Sequence, residues 1–198
     1  MVGIDMQEAV DPIALFGVWM NAAEASEPND TDAVALATAT RDGVPSVRMV
    51  LMKRADQRGF RFYTNAESEK GVELAENPRA AMCFHWKSLR RQVRISGSVS
   101  ELSAEEADEY FQSRSRLSQL AAAASQQSRA LASREVLEAR VKELDREFPG
   151  KIPRPEYWKG YLLQPERIEF WMSGVGRMHD RILFSKTGDG WRKERLYP

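Results

Sequence analysis

Between Ala33 and Leu102 the chain is a succession of short β-forming segments punctuated by turn residues, and this pattern limits the fold more than any other feature. Ala33 to Thr40 is alanine-rich and β-branched, and it ends at the turn Arg41-Asp42-Gly43. Ser46 to Lys53 predicts a second strand, and Phe60 to Asn65 a third after the turn Asp56 to Gly59. Strands joined by such turns pair as hairpins, so the sheet is expected to be antiparallel. Arg79 to Trp86 and Arg91 to Leu102 extend the series by two strands. Near the C-terminus, Tyr161 to Leu163, Ile168 to Met172, Arg181 to Ser185 and Trp191 to Leu196 return to the same pattern.

Helical signals frame this sheet. Asp11-Pro12 supplies an N-cap acid and a proline for the first turn, followed by an apolar stripe of Ile13, Leu15, Phe16 and Trp19 and ended by the polar stretch Glu24 to Asp32. Ser68 can cap a short helix that stops near Asn77-Pro78. Ser103-Ala104-Glu105-Glu106 is a capping box that opens a helix to about Ser113. Another begins near Ser133, with Leu137, Val141, Leu144 and Phe148 at helical spacing and Pro149-Gly150 as its stop. Between these two, Ala121 to Ala124 and Ser125-Gln126-Gln127-Ser128 resemble a helical linker of low complexity. Lys151 to Pro155 is too weak a break to divide the chain. The expectation is one mainly β domain over residues 1–198, an antiparallel barrel with inserted and flanking helices.

Composition narrows the function. Lys+Arg and Asp+Glu are both 29, so there is no bulk positive charge for nucleic acid. The cluster Lys87, Arg90, Arg91 and Arg94 is not extended and suits a small anion better. No apolar stretch reaches membrane-spanning length, and Met1 to Val10 is acidic and unlike a signal peptide. The expected location is the cytoplasm. The single cysteine, Cys83, sits in the apolar run Ala80 to Phe84 and reads as a buried, inert thiol. The only two histidines, His85 and His179, have no carboxylate at helical ligand spacing, so no metal site is expected. Gly43, Gly59 and Gly71 are isolated, and no glycine-rich phosphate loop or nucleophile elbow occurs.

Anion-binding side chains remain. If Arg177-Met178-His179-Asp180-Arg181 is a strand, Arg177, His179 and Arg181 share one face. That face would carry two fixed charges and a group that titrates near neutrality; a solvated strand edge fits the residues equally well. Arg48 and Lys53 fall on opposite strand faces unless Lys53 lies at the strand end. Tyr110, Arg114 and Ser118 share a helical face if the helix continues that far. They could clasp a phosphate, although spacing alone favours a solvent face with a packed tyrosine.

In order along the chain, several segments resemble the pyridoxine/pyridoxamine 5′-phosphate oxidase family. They are Arg48-Met49-Val50-Leu51-Met52-Lys53, Phe62-Tyr63-Thr64-Asn65, Arg91-Gln92-Val93, Tyr110-Phe111-Gln112-Ser113-Arg114, Gln127-Ser128, Ile168-Glu169-Phe170-Trp171 and Arg177-Met178-His179-Asp180-Arg181, with Trp191 and Arg195-Leu196-Tyr197-Pro198 at the end. The resemblance runs from Asp11-Pro12 to Pro198. It implies an FMN-binding split barrel and a homodimer, with FMN at the subunit interface. It also implies oxidation of a phosphorylated B6 vitamer to pyridoxal 5′-phosphate, with O2 as acceptor and hydrogen peroxide as product.

By the same resemblance, Arg48, Met49, Val50, Leu51, Met52, Lys53, Tyr63, Thr64, Lys70, Gln92, Gln127, Ser128, Trp171 and Arg181 contact the flavin. Lys53, Tyr110, Arg114 and Ser118 grip the substrate phosphate. Arg177 and His179 are the catalytic pair beside the substrate ring, with Met178 between them, and Asp30 aligns loosely with a further acid. The chain departs from the family at Ser68-Glu69-Lys70, where an acid replaces a cation and lower FMN affinity follows. Its short N-terminus implies less of a lid. Rival readings are a related flavin oxidase of the phenazine pathway, which should not need the Lys53/Tyr110/Arg114/Ser118 grip, and a non-catalytic carrier of FMN or pyridoxal phosphate.

Overall fold

The computed structural model describes residues 6–198. The acidic Met1 to Asp5 portion of the N-terminal reading lies outside those residues. The chain begins with helix α1 (Pro12–Glu24), then strands β1 (Ala33–Ala39), β2 (Pro45–Leu51), β3 (Arg54–Asp56) and β4 (Gly59–Asn65). Helix α2 (Glu69–Glu76) leads to the long hairpin β5 (Arg79–Trp86) and β6 (Arg91–Glu101). Three helices follow: α3 (Ala104–Ser113), α4 (Arg116–Ala124) and α5 (Arg134–Glu147). The chain closes with β7 (Trp158–Met172), β8 (Asp180–Thr187) and β9 (Gly190–Arg195).

Every strand pairing is antiparallel, in the order β2-β1-β5-β6-β7-β4-β3, with β8 added to β7 and β9 to β8. Strand β7 is where the sheet divides. Its first half pairs with β4 and its second half with β8, while β6 runs along both. The sequence pattern predicts two separate strands on either side of Pro165, but the structure has one. Pro165 faces Gly97 where the register of β6 shifts, so its missing N–H breaks no regular ladder. Gly97 is required there, because a Cβ would lie 1.9 Å from the Gln164 carbonyl oxygen.

The curled sheet wraps α1. Asp11 caps this helix by accepting from the Ile13 N–H at 2.8 Å, and the predicted stripe of Ile13, Leu15, Phe16 and Trp19 is buried. Phe16 packs edge-on against Phe60 at 4.9 Å and near Phe84 at 5.2 Å, and Trp19 packs on Phe170 at 5.1 Å. Each such burial contributes about 1.5–3 kcal/mol, so this contact fixes the barrel's shape. A second core of Phe111, Leu120, Leu144, Ile152 and Trp158 seats α3, α4 and α5 beside β4 and β7. The expected stripe on α5 supplies Leu144 at its centre and half-buried Leu137, Val141 and Phe148. Arg116 fastens α4 to the end of α5 through Asp145 at 2.7 Å and the Gly150 carbonyl at 2.7 Å. No helix among the described residues is long and apolar enough to cross a membrane.

Candidate active site

A cavity of about 630 Å³ opens between β2, β4, α2 and the α3–α4 junction. The β2 segment brings Arg48, Met49, Val50 and Leu51 to its wall, and Lys53 follows just beyond the strand end. The placement of Lys53 past Leu51 removes the conflict with strand alternation: the backbone leaves the β1 ladder, and the Lys53 N–H donates to the Arg61 carbonyl at 2.8 Å. Met52 is the exception in this run. Its side chain is 5% exposed and belongs to the main core, so it backs the wall instead of facing the cavity.

The other wall comes from the helices. Tyr110, Arg114 and Ser118 do line the cavity, but not on one continuous helix. Helix α3 stops at Ser113, Arg114 is extended (φ −75°, ψ 155°), and Ser115 caps a new helix by accepting from the Ser118 N–H. The break turns all three side chains inward. The Tyr63, Tyr110 and Trp158 rings form a parallel stack, with centroids 4.0 Å apart for Tyr63–Tyr110 and 5.3 Å for Tyr63–Trp158. Ser115 and Trp158 were not expected in the wall; neither carries a spacing signal that could have revealed it.

The supposed linker is also part of the wall. Gln127 Oε1 accepts from Lys70 Nζ at 2.9 Å and from Thr64 Oγ1 at 3.1 Å. Ser128 Oγ accepts from the Glu69 N–H at 3.2 Å, and Ser128 holds a left-handed φ of 71°. These contacts hold the Ser125 to Ser128 loop against the first turn of α2.

The cavity's four cations differ in how they are balanced. Arg48 is backed by the buried Glu73 at 3.4 Å and reaches Glu69 at 3.6 Å. Burial opposes the charge on Glu73, but hydrogen bonds from Thr38 and Ser46 and the nearby Arg48 outweigh it and hold the carboxyl below its ordinary pKa. Lys53 pairs with Asp32 at 2.7 Å. Lys70 is buried, and among the described residues its ammonium bonds only neutral oxygens: those of Gln127, Thr64 at 3.2 Å and Ser68 at 3.2 Å. Burial, and then the charge of Arg48, push its pKa below the usual lysine value. Arg114 forms no ion pair among the described residues, and its Nη1 is buried without any hydrogen-bond partner. Its guanidinium lies 5.1 Å from the Trp158 ring centroid, and burial lowers its pKa too. A buried ammonium with neutral partners and an orphaned guanidinium N–H are costly unless anions arrive. Lys70, with Arg48 and the N-terminus of α2, fits one phosphate; Arg114, with Tyr110, Ser118 and Lys53, fits another.

The remaining predicted residues sit elsewhere on the chain. Gln92, Trp171 and Arg181 are direct cross-strand partners in one row over β6, β7 and β8. Arg181 is held by Glu169 at 2.9 Å and by the Tyr197 carbonyl at 2.9 Å. The shared strand face expected for Arg177, His179 and Arg181 is not formed. Val175–Arg177 is a 3₁₀ turn, Arg177 has φ 65°, and the strand starts only at Asp180. The turn instead folds the His179 ring onto Trp171, with centroids 4.6 Å apart, and His179 Nδ1 accepts from the Gly174 N–H at 3.2 Å. Arg177 and Met178 are exposed beside it. Asp30, in a left-handed turn (φ 43°), lines none of these surfaces. Cys83 is only half-buried, with its thiol pKa raised by burial. The cavity residues and the Gln92/Trp171/Arg181 row thus lie apart on the chain, and edge strand β2 exposes Val47, Met49 and Leu51. An apolar edge strand of this kind calls for a partner surface.

Residues 20–146 match the family model described as pyridoxamine 5′-phosphate oxidase. Residues 158–198 match the one described as the pyridoxine 5′-phosphate oxidase C-terminal dimerisation region. The chain is 57% identical over 189 residues to a pyridoxine/pyridoxamine 5′-phosphate oxidase of Gluconobacter oxydans, covering 95% of this chain and 94% of that one. It is 55% identical over 197 residues to the protein of that name from Sinorhizobium fredii, covering 98% and 96%. Among solved structures, PhzG from Burkholderia lata, in complex with tetrahydrophenazine-1-carboxylic acid, superposes with a TM-score of 0.91 at 35% identity, covering 96% of this chain and 94% of that one.

Proposed function

Because the chain belongs to the pyridoxamine 5′-phosphate oxidase family, we propose that it oxidises pyridoxamine 5′-phosphate and pyridoxine 5′-phosphate to pyridoxal 5′-phosphate. The amine reaction consumes O2 and water and yields ammonia and hydrogen peroxide; the alcohol reaction consumes O2 and yields hydrogen peroxide. The observation that carries the substrate class is Arg114. A half-buried guanidinium with an orphaned Nη1, next to Tyr110, Ser118 and Lys53, is built for a phosphate ester. That grip also weighs against a phenazine-type substrate, in line with the higher identity to the vitamer oxidases, 57% against 35%.

FMN is the cofactor in this reading, and when bound it supplies the two-electron acceptor that O2 reoxidises. Arg48 and Lys70, with Thr64, Gln127 and Ser128, would hold its phosphate end. Glu73 fixes the direction of Arg48 from behind, and Gln127 and Thr64 fix Lys70. The stacked Tyr63, Tyr110 and Trp158 would form an aromatic wall beside the substrate phosphate.

A second copy of the chain completes the site, supplying Gln92, Trp171 and Arg181 from its own row and Arg177 and His179 from the turn beside it. The exposed Val47, Met49 and Leu51 provide apolar surface for that contact. Arg177 carries a fixed charge and is free to orient the substrate ring. In His179, the Gly174 N–H occupies Nδ1, so the proton of the neutral imidazole resides on Nε2. His179 therefore presents a hydrogen-bond donor from Nε2.

The test is to mix FMN-loaded protein with pyridoxamine 5′-phosphate without oxygen and follow the visible flavin absorbance. Bleaching, reversed by air with release of pyridoxal 5′-phosphate, is the expected result. A flavin that stays oxidised would refute the substrate assignment.

A further inference from the structure

Lys53 is the one residue shared by the cavity and a neighbouring groove that runs between α1 and the β2–β3 junction. Asp32 lies in that groove, outside the cavity wall. Its carboxylate takes the Lys53 ammonium at 2.7 Å and makes no other ion pair among the described residues. Its backbone is fixed independently, since the Asp32 carbonyl accepts from the Met52 N–H at 2.9 Å. The side chains of the pair are 26% and 29% exposed, so it adds only about 0–1 kcal/mol to folding. Its effect on an incoming anion is larger, because the carboxylate stands directly behind a cation of the phosphate grip.

We propose that Asp32 is a positioning residue that limits the hold of Lys53 on the substrate phosphate and thereby speeds product release. The inference rests on the assignment of Lys53, Tyr110, Arg114 and Ser118 to that phosphate. Substrate and product carry the same phosphate, so the grip binds both alike and does nothing for the chemical step. A stronger grip only delays departure, which limits turnover in many enzymes. Arg114 already supplies an uncompensated charge. Lys53 has three N–H donors; Asp32 takes one and fixes the direction of the others while halving the local charge. Asp32 thus sets the pair of cations to act as about one net charge on the phosphate.

The experiment uses FMN-loaded protein and measures binding of inorganic phosphate, pyridoxal 5′-phosphate and unphosphorylated pyridoxal, together with steady-state kinetics. Asp32→Asn should tighten both phosphates by about fivefold, as expected for removing one charge a few ångströms away in a solvated site. Pyridoxal binding should stay unchanged, and KM and kcat for the phosphorylated substrate should fall together. In a Lys53→Met background the same substitution should have no effect, because the coupling passes through Lys53. Asp32→Ala should act in the same direction, and unfolding midpoints and flavin content establish that each variant is folded. Unchanged or weaker phosphate binding in Asp32→Asn would overturn the inference while leaving the phosphate site intact. Equal binding of phosphorylated and unphosphorylated ligand by the unsubstituted protein would instead overturn the phosphate-site assignment itself.

Discussion

Replacing Arg114 by Met separates stability from binding at a single side chain. Among the described residues the buried Nη1 has no acceptor, a penalty of about 1–3 kcal/mol for a desolvated donor. The guanidinium recovers part of this over Trp158, at 5.1 Å, where a cation–π contact is worth about 0.5–2 kcal/mol. Methionine keeps the apolar stem against Trp158 and Phe111 while removing both terms. The unfolding free energy should therefore stay within about 1 kcal/mol of its original value or rise by up to ~2 kcal/mol. Binding should move the other way. A charge-assisted contact to phosphate is worth about 1.5–3 kcal/mol, and loss of a two-pronged contact at a half-buried site should raise KM for the phosphorylated substrate roughly 30- to 100-fold. Unphosphorylated vitamer should be used as before, and FMN should remain bound. Urea unfolding at fixed protomer concentration and steady-state kinetics on both substrates measure the two sides. A stability loss beyond ~2 kcal/mol, or loss of flavin with an unchanged KM, would show that Arg114 is a structural residue.

Lys70 predicts a pH dependence. Its folded pKa is lowered by burial, so between that value and the unfolded value of about 10.4 the unfolded chain binds more protons. Stability of the flavin-free protein should therefore rise with pH across that window, with the full penalty present below it. Urea midpoints taken at increasing alkaline pH should show the rise in the unsubstituted protein and lose it in Lys70→Met, which should also retain FMN poorly; identical pH profiles would refute the assignment. At Gly71 a Cβ would stand 2.2 Å from the Ala66 carbonyl oxygen. Gly71→Ala must push α2 and Lys70 away from the 64–68 segment, with a loss of about 1–3 kcal/mol and reduced flavin content on purification. Gly17→Ala is the control: nothing lies within 4 Å of its Cβ, so this mid-helix change should stabilise by about 0.5–1 kcal/mol.

The elements most legible in the sequence are those set by local rules. The Asp11 cap, the Ser103 capping box and the strands on either side of their turns all occur within a residue or two of their expected bounds. Local pattern and structure part where tertiary contacts overrule the pattern. Pro165 looks like a strand breaker, yet β7 continues through it because the shift at Gly97 removes the need for its N–H. The three-residue strand β3 is too short to carry a pattern, and it exists because β4 offers it a partner. Arg177 to Arg181 alternates like a strand, but the chain must turn before it can pair with β7, and a left-handed Arg177 makes that turn.

The site's residues converge through contacts that local pattern does not encode. No spacing rule places Gln127 against Lys70, 57 residues away in sequence, or turns Ser118 inward by ending a helix at Arg114. Family resemblance supplied those positions without a reason, and the charges supply the reason. Arg48 and Lys53 are ion-paired with carboxylates, while Lys70 and Arg114 form no ion pair among the described residues. Folding alone would select against the second pair, since an apolar side chain of similar size removes the penalty. The proposed function accounts for their presence, with an anion meeting each of them in the cavity. The compensated cations then have a separate task. Glu73 and Asp32 hold Arg48 and Lys53 in place before any anion arrives; in the proposed reading they also moderate the field, so that two phosphates would share one small cavity and one of them would leave at every turnover.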